Sequence, residues 1–244
     1  MQPLPLFTFT DFGSSGPYLG QVEERIYRFD HKISVIHLMA DAPSFAPLEA
    51  GHLLAALAGR MGSGVFLSVV DPGVGGDREA VVVRRGEQWF VGPDNGLFAP
   101  LTCRDPAAEI FRIRYRPAEI SSTFHGRDLF APVAARLASA SFVPLERIAC
   151  LEVCAGPQDL ASVIYVDHYG NLMTGLRANR LDRSRQLLLS GSGIDCADHF
   201  ESVAPGTAFW FENSLGLAEI SINRGSAEQH FSAQVGMDVQ IPGT

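Results

Sequence analysis

Two patterns of apolar and polar positions divide the chain. Up to about residue 140, apolar runs long enough for buried strands alternate with segments whose apolar residues recur at threes and fours. Residues 4–10 (LPLFTFT) predict a first strand, ending at Asp11-Phe12-Gly13. Leu19, Val22, Ile26 and Phe29 then predict a helix from Tyr18 to Phe29. Lys32 to Leu38 reads as a second strand, Leu48 to Leu57 as a second helix, and Val65 to Val70 as a third strand. A loop rich in glycine, residues 71–78 (DPGVGGDR), separates that strand from Ala80 to Val83. Further strands are expected at Gln88 to Val91, before the turn Gly92-Pro93-Asp94-Asn95-Gly96, and at Glu109 to Ile113. Leu129 to Ala138 reads as a helix with a proline near its start, where proline is tolerated. Strand, helix, strand, helix, strand predicts an α/β N-terminal domain with a mainly parallel sheet flanked by helices. Residues 143–160 show little periodicity and read as a linker.

From Ser162 onward the pattern shifts to short β-rich segments punctuated by turn residues: VIYVDHYGNLMTGL, QLLLSGSGI, HFESVAP, AFWFENSLG, LAEISINRG and MDVQIPGT. Short strands without intervening helices predict an all-β C-terminal domain, barrel-like or an antiparallel sandwich. The expected domains are residues 1–155 and 156–244.

Composition narrows the function classes. The 244 residues are 46% hydrophobic and 19% charged, enough to bury a full core. The net charge of -8, with no basic stripe, argues against a nucleic-acid partner, whose phosphates need clustered Lys and Arg. No apolar run approaches the ~20 residues that cross a bilayer, and the N-terminus lacks the charge and cleavage pattern of a signal peptide. Cys103, Cys150, Cys154 and Cys196 form no CxxC pair, so reduced thiols, no zinc site and a cytoplasmic location are expected. There is no Walker lysine motif, GxGxxG, HExxH or GxSxG.

Polar groups at predicted strand exits and helix entries are the candidates for chemistry. They are Asp11, Asp71 with Arg78, and His125 with Arg127 and Asp128. Each has a plainer explanation: Asp11 or Asp128 as a helix cap, Arg78 as a surface partner of Asp77 or Glu79, His125 as a structural histidine. A parallel strand order would bring all three groups to one edge of one sheet, where ligands of open α/β sheets collect. Asp167 and Asn171 form a second cluster that a hairpin turn also explains, and Asn213-Ser214-Leu215-Gly216 reads as a turn.

Six blocks in order, TDFG, VVDPGVGGDR, VGPDNGLF, TFHGRDLFAPVAA, VDHYGNL and NSLGLAEISINRGSA, resemble the S-adenosyl-L-methionine (SAM) hydroxide adenosyltransferases, which are SAM hydrolases related to the fluorinases and chlorinases. The resemblance runs from about residue 5 to the end. It implies an α/β domain followed by a barrel-like one, and homotrimers with active sites between the N-terminal domain of one subunit and the C-terminal domain of the next. It implies hydrolysis of SAM to adenosine and methionine by water or hydroxide attacking C5′, with SAM as substrate and no cofactor or metal. The family's Asp-Arg-His group maps onto Asp71, Arg78 and His125; whether Asp71 or His125 takes the proton from water stays open. Asp11 matches a ribose-holding carboxylate. Asp167 and Ser214 match contacts to the methionine amino end, and Asn171 matches one to adenine. Phe45 corresponds to an aromatic over the nucleoside, and Asn95 and Tyr169 are further substrate contacts. Halogenating relatives have tyrosine at the position of Asp71 and serine at that of Gly126, which favours water as nucleophile. Most relatives carry a second acid in the first motif where this chain has Gly16. That departure keeps open a SAM- or adenosine-binding module with little turnover; a halogenase is the remaining alternative.

Overall fold

The computed structural model describes residues 2–154 and 156–242. The chain forms two compact units, residues 1–51 with 61–156, and residues 52–60 with 157–244. Ala155, where the boundary expected from sequence falls, lies outside the described residues.

The first unit is built on β1 (Leu6–Thr10), β2 (Val35–Met39), β3 (Gly64–Val69), β4 (Ala80–Arg85), β5 (Gln88–Pro93), β6 (Glu109–Ile113) and β7 (Leu145–Ile148). They form one sheet in the order β2-β1-β3-β5-β4-β6-β7. The helices are α1 (Tyr18–Phe29), α2 (Pro47–Ala58), which spans both units, α3 (Ala99–Arg104) and α4 (Ala131–Ala138). β1 and β3 are buried along their whole length, which is why they read as unbroken apolar runs. Val22 and Ile26 of α1 and Ala131 to Ala138 of α4 pack with Leu6, Val65, Leu67, Val69 and Val91 in one core. Phe7, Phe66 and Phe90 are paired in register across three strands, with successive ring centroids 4.8 Å apart.

The sheet is mixed where a mainly parallel one was expected. β2, β1, β3 and β5 run parallel, whereas β4 is antiparallel to β5 and β6, and β6 to β7. A parallel return needs a long crossover, usually a helix. The chain instead leaves β3 through the loop 71–78, and only two residues separate β4 from β5. Two elements were missed: α3, and β7 within the expected linker.

The second unit holds β8 (Leu160–Val166), β9 (Leu172–Arg177), β10 (Leu187–Leu189), β11 (Ser192–Ile194), β12 (Ala208–Glu212) and β13 (Leu217–Ile222). Among the described residues it is not a closed barrel. β12-β13-β9-β8 is an open antiparallel sheet whose edge strands do not pair with each other, and β10-β11 is a separate hairpin. The segment HFESVAP, expected as a strand, contains one short helical turn, Phe200–Ser202. MDVQIPGT contributes only isolated bridges at Asp238 and Gln240, and its last two residues lie outside the described ones. A short helix α5 (Ala227–Phe231), capped by the Ser226 hydroxyl accepting from Gln229 N–H, was not expected.

Candidate active site

Parallel pairing puts the carboxyl ends of β1, β3 and β5 on one edge of the sheet, Thr10 standing opposite Val69. Asp11 follows β1, Asp71 lies just past β3, and Asp94 and Asn95 lie at the end of β5. Because β4 is antiparallel to β5, with Ala80 opposite Pro93, the loop delivers Arg78 to the same edge.

There the guanidinium of Arg78 bridges two groups. Its Nε donates to both Asp71 oxygens at 3.0 and 3.1 Å, its Nη2 donates to Asp71 Oδ2, and Nη2 also lies 2.9 Å from His125 Nδ1. The side chains of Arg78 and Asp71 are only 11% and 4% exposed, so the pair is largely shielded from solvent screening. The Phe130 ring lies 5.1 Å from the guanidinium carbon. Asp77 and Glu79, the surface alternatives, are not its partners. Arginine can only donate, so His125 Nδ1 accepts, and the ring is neutral with its proton on Nε2. Burial and the nearby Arg78 charge hold the His125 pKa below the usual histidine value, which agrees with that tautomer.

His125 sits at the start of an unusually wide helical turn, Gly126–Phe130, in which Ala131 N–H bonds to the Gly126 carbonyl five residues back. Such turns are rare and concentrate at functional sites. Asp128, far from being a simple cap, is a buried anchor. It accepts Arg127 Nε at 2.7 Å, Arg25 Nη2 at 3.2 Å and Ser121 N–H at 2.9 Å, which ties the loop before His125 to α1. These donors, Arg127 first, lower its pKa from 3.8 to about 2. A depressed carboxylate pKa means stability present above the unfolded value and lost as pH falls toward the folded one. Asp128→Asn is therefore expected to lower stability at neutral pH by ~1–2 kcal/mol after solvent screening of its arginines. In urea melts, the gap between variant and parent should close as pH falls from 4 to 2.

Asp71 and His125 line a cavity of about 70 Å³ with Asp11, Phe12, Val69, Val74, Thr123, Phe124 and Gly126. It has room for water but not for a nucleoside-sized ligand, which needs several hundred Å³. Burial raises the Asp11 pKa, and the neighbouring Asp71 charge adds to the rise. Two carboxylates against one guanidinium leave the cavity unwelcoming to an anion.

Two glycines, Gly126 in its wall and Gly75 beside the lining residue Val74, set the packing around this cavity. Gly75 has φ +82°, and a Cβ there would lie 2.3 Å from the Ser122 carbonyl oxygen. The glycine loop thus lies against the loop carrying His125 at a separation no side chain permits. Gly75→Ala is expected to cut turnover about 10- to 100-fold by moving Arg78 from His125, since misplacements near 1 Å cost that much. Steady-state kinetics, with circular dichroism to confirm folding, checks this. A Cβ at Gly126 would lie 2.9 Å from Phe12 Cζ, so a serine there requires the ring to move.

The second unit carries its own cavity of about 680 Å³, a size suited to small-molecule ligands. Asp167, Tyr169 and Asn171 line it, as do Phe200, Arg224 and Ser226, which the sequence did not single out although the last two lie in its NRGSA block. Asp167 accepts the backbone N–H groups of Tyr169 and Asn171 and the Asn171 amide, each at 2.9 Å. The hairpin explanation and a ligand-facing role therefore coexist at this residue. Tyr169 is exposed. Ser214, also exposed, stands in the turn closed by Gly216 N–H on Asn213 O and is not among the lining residues. Phe45 is 83% exposed at φ +61°, a strained conformation for an aromatic residue. Asn95 does not line the small cavity; its amide is engaged by backbone groups. No cluster of His, Cys, Asp and Glu able to hold a metal occurs among the described residues, and no helix among them is long and apolar enough to cross a membrane.

Comparison with known proteins adds an independent line. Residues 6–149 match the family model described as SAM hydroxide adenosyltransferase N-terminal domain, and residues 161–240 match its C-terminal counterpart. A Thermus thermophilus protein named (R)-S-adenosyl-L-methionine hydrolase is 32% identical over 97% of this chain and 99% of its own. One of the same name from Salinispora tropica is 31% identical over 93% and 94%. The crystal structure of an uncharacterized conserved protein from Thermotoga maritima superposes with a TM-score of 0.86 at 30% identity, covering 97% of this chain and 99% of that one.

Proposed function

The chain belongs to the SAM hydroxide adenosyltransferase family, and on that premise we propose that it hydrolyses S-adenosyl-L-methionine to adenosine and L-methionine. Water attacks C5′, an oxygen–carbon bond forms, and the carbon–sulfur bond breaks with its electron pair passing to sulfur. The leaving group departs as a neutral thioether and needs no acid. The difficult partner is the nucleophile, because free water, with a pKa near ~15.7, is a poor one.

The observation that carries this reading is the Asp71–Arg78–His125 group beside a water-sized cavity. Arg78 supplies a fixed positive charge toward developing hydroxide, the kind of preorganised stabilisation that does most in a buried site. With Nδ1 accepting from Arg78, the free edge of His125 is the Nε2–H donor, suited to hold the oxygen of the water rather than to take its proton. Asp71 is then the proton acceptor, since Oδ1 accepts only the Arg78 Nε bond and keeps a lone pair. The negative balance of Asp11, Asp71 and Arg78, and the Phe12 ring over Gly126, support water over halide.

The remaining assignments belong to the same proposal. Asp11 holds the ribose hydroxyls and Phe45 covers the nucleoside. Asp167, Tyr169, Asn171 and Ser214 serve the adenine and methionine ends, so the first domain activates the nucleophile and the second contributes nucleoside and methionine contacts. No cofactor takes part, and nucleic acid and membrane have no role. A soluble cytoplasmic homotrimer, each active site completed by a neighbouring subunit, follows from the family resemblance. In sedimentation equilibrium the protein is expected at three times its 26.4 kDa chain mass; a monomer at micromolar concentration would remove the shared site. Incubation with SAM and chromatography of the products tests the reaction, with adenosine expected above a His125→Ala control.

A further inference from the structure

We propose that Asn95 is a positioning residue. Its side-chain amide and the backbone of Asp94 hold the two ends of the loop that carries Asp71 and Arg78. This rests on the reading in which those two residues activate water.

β5 lies between β3 and β4 in the sheet, so the end of β5 is where one short turn reaches both strands that flank the loop. The register of β3 with β5 stops at Leu67 opposite Val91. Beyond it, the carbonyl of Val70 is taken by Asn95 Nδ2 at 2.9 Å. One residue earlier in the turn, Asp94 N–H donates to the carbonyl of Glu79 at 3.0 Å. Val70 immediately precedes Asp71, and Glu79 immediately follows Arg78. The two residues therefore clamp the loop one position outside each catalytic group.

The clamp is itself fixed. Asn95 Oδ1 accepts Leu97 N–H at 3.3 Å, which sets the orientation of the amide. The buried Asp94 carboxylate accepts Glu152 N–H at 2.8 Å. A Cβ at Gly92 would lie 2.1 Å from the Ser68 carbonyl oxygen, so the end of β5 sits hard against β3. One N–H and the oxygen of the Asn95 amide are thus both engaged by backbone.

Asn95→Ala and Asn95→Asp in the full chain test this; the second keeps the shape of the side chain but loses the donor, and serves if the first does not fold. Turnover is expected to fall ~30-fold with KM within about threefold of the parent, the pattern of misplaced groups rather than lost binding. An NMR titration of His125 gives a readout besides activity. As Arg78 is released from Nδ1, its midpoint should move up toward the ordinary histidine range. Either a KM rise of tenfold or more, or a His125 titration that stays at the parental position, overturns the proposal. If the parent protein forms no adenosine, the functional reading fails, and the titration still decides whether Asn95 sets the geometry of the group.

Discussion

Arg78→Met is expected to lose nearly all turnover and to lower stability at the same time. Removing one preorganised charge donor costs ~10²–10³ in rate where it acts alone. Arg78 also fixes its two neighbours, so a loss of at least ~10³ in kcat is expected. The second effect comes from Asp71, which is 4% exposed and whose carboxylate is held by the Arg78 guanidinium through both oxygens. With the guanidinium gone, a buried carboxylate stands unpaired, and breaking such a pair costs ~3–5 kcal/mol. Asp71→Asn with Arg78→Met removes the stranded charge, so the double variant should regain stability and no activity. Thermal melts of the single and double variants, beside adenosine assays, separate the two effects. A single variant as stable as the parent would mean that the pair is not buried in solution.

His125→Ala is the next largest, an expected ~10²–10³-fold loss in kcat if Nε2–H holds the water oxygen as a donor. The pH dependence distinguishes this role from that of a general base. In the parent, protonation of His125 places a proton on Nδ1 and expels the Arg78 bond. Activity should rise with pH through a midpoint below the unperturbed 6.5 and then stay flat. Stability follows the same sign: the unfolded state binds the proton more readily, so stability from this group is lost as pH falls below the unfolded value. The alanine variant should lack this step. Asp11 also titrates on the acid side, from a raised carboxylate value, and Asp11→Asn should leave the histidine step in place.

Much of the first unit was legible because its central strands are buried on both faces. Such strands have no choice but to be continuous apolar runs, and β1, β3 and the buried start of β4 fell where the runs predicted. Direction was not legible, since a buried strand has the same composition whether its neighbour is parallel or antiparallel; the mixed sheet follows from connection lengths. β7 escaped because Glu146 and Arg147 face solvent and only Leu145 and Ile148 carry apolar signal. α3 escaped because it is six residues long with a proline in its first turn. In the second unit short strands read correctly as β, but closure depends on whether two edge strands meet, and local pattern does not encode that.

The candidate site divides the same way. Asp71, Arg78 and His125 stood out at strand exits and a helix entry, but their grouping came from blocks that resemble a family, not from spacings of 7 and 47 residues. The tautomer of His125 follows only from which nitrogen meets the guanidinium. The close approach of Gly75 to Ser122 is a through-space fact, and so is the engagement of Asn95 by Val70.

Water held by Asp71, Arg78 and His125 is expected to attack C5′ of SAM. Incubating the protein with SAM in H₂¹⁸O and weighing the products tests it most directly. Adenosine heavier by one ¹⁸O at its 5′ hydroxyl and unlabelled methionine are expected, with adenosine formed ~10²–10³-fold more slowly by His125→Ala. Adenosine without label, label in methionine, or a yield of adenosine no higher than that of His125→Ala would contradict it.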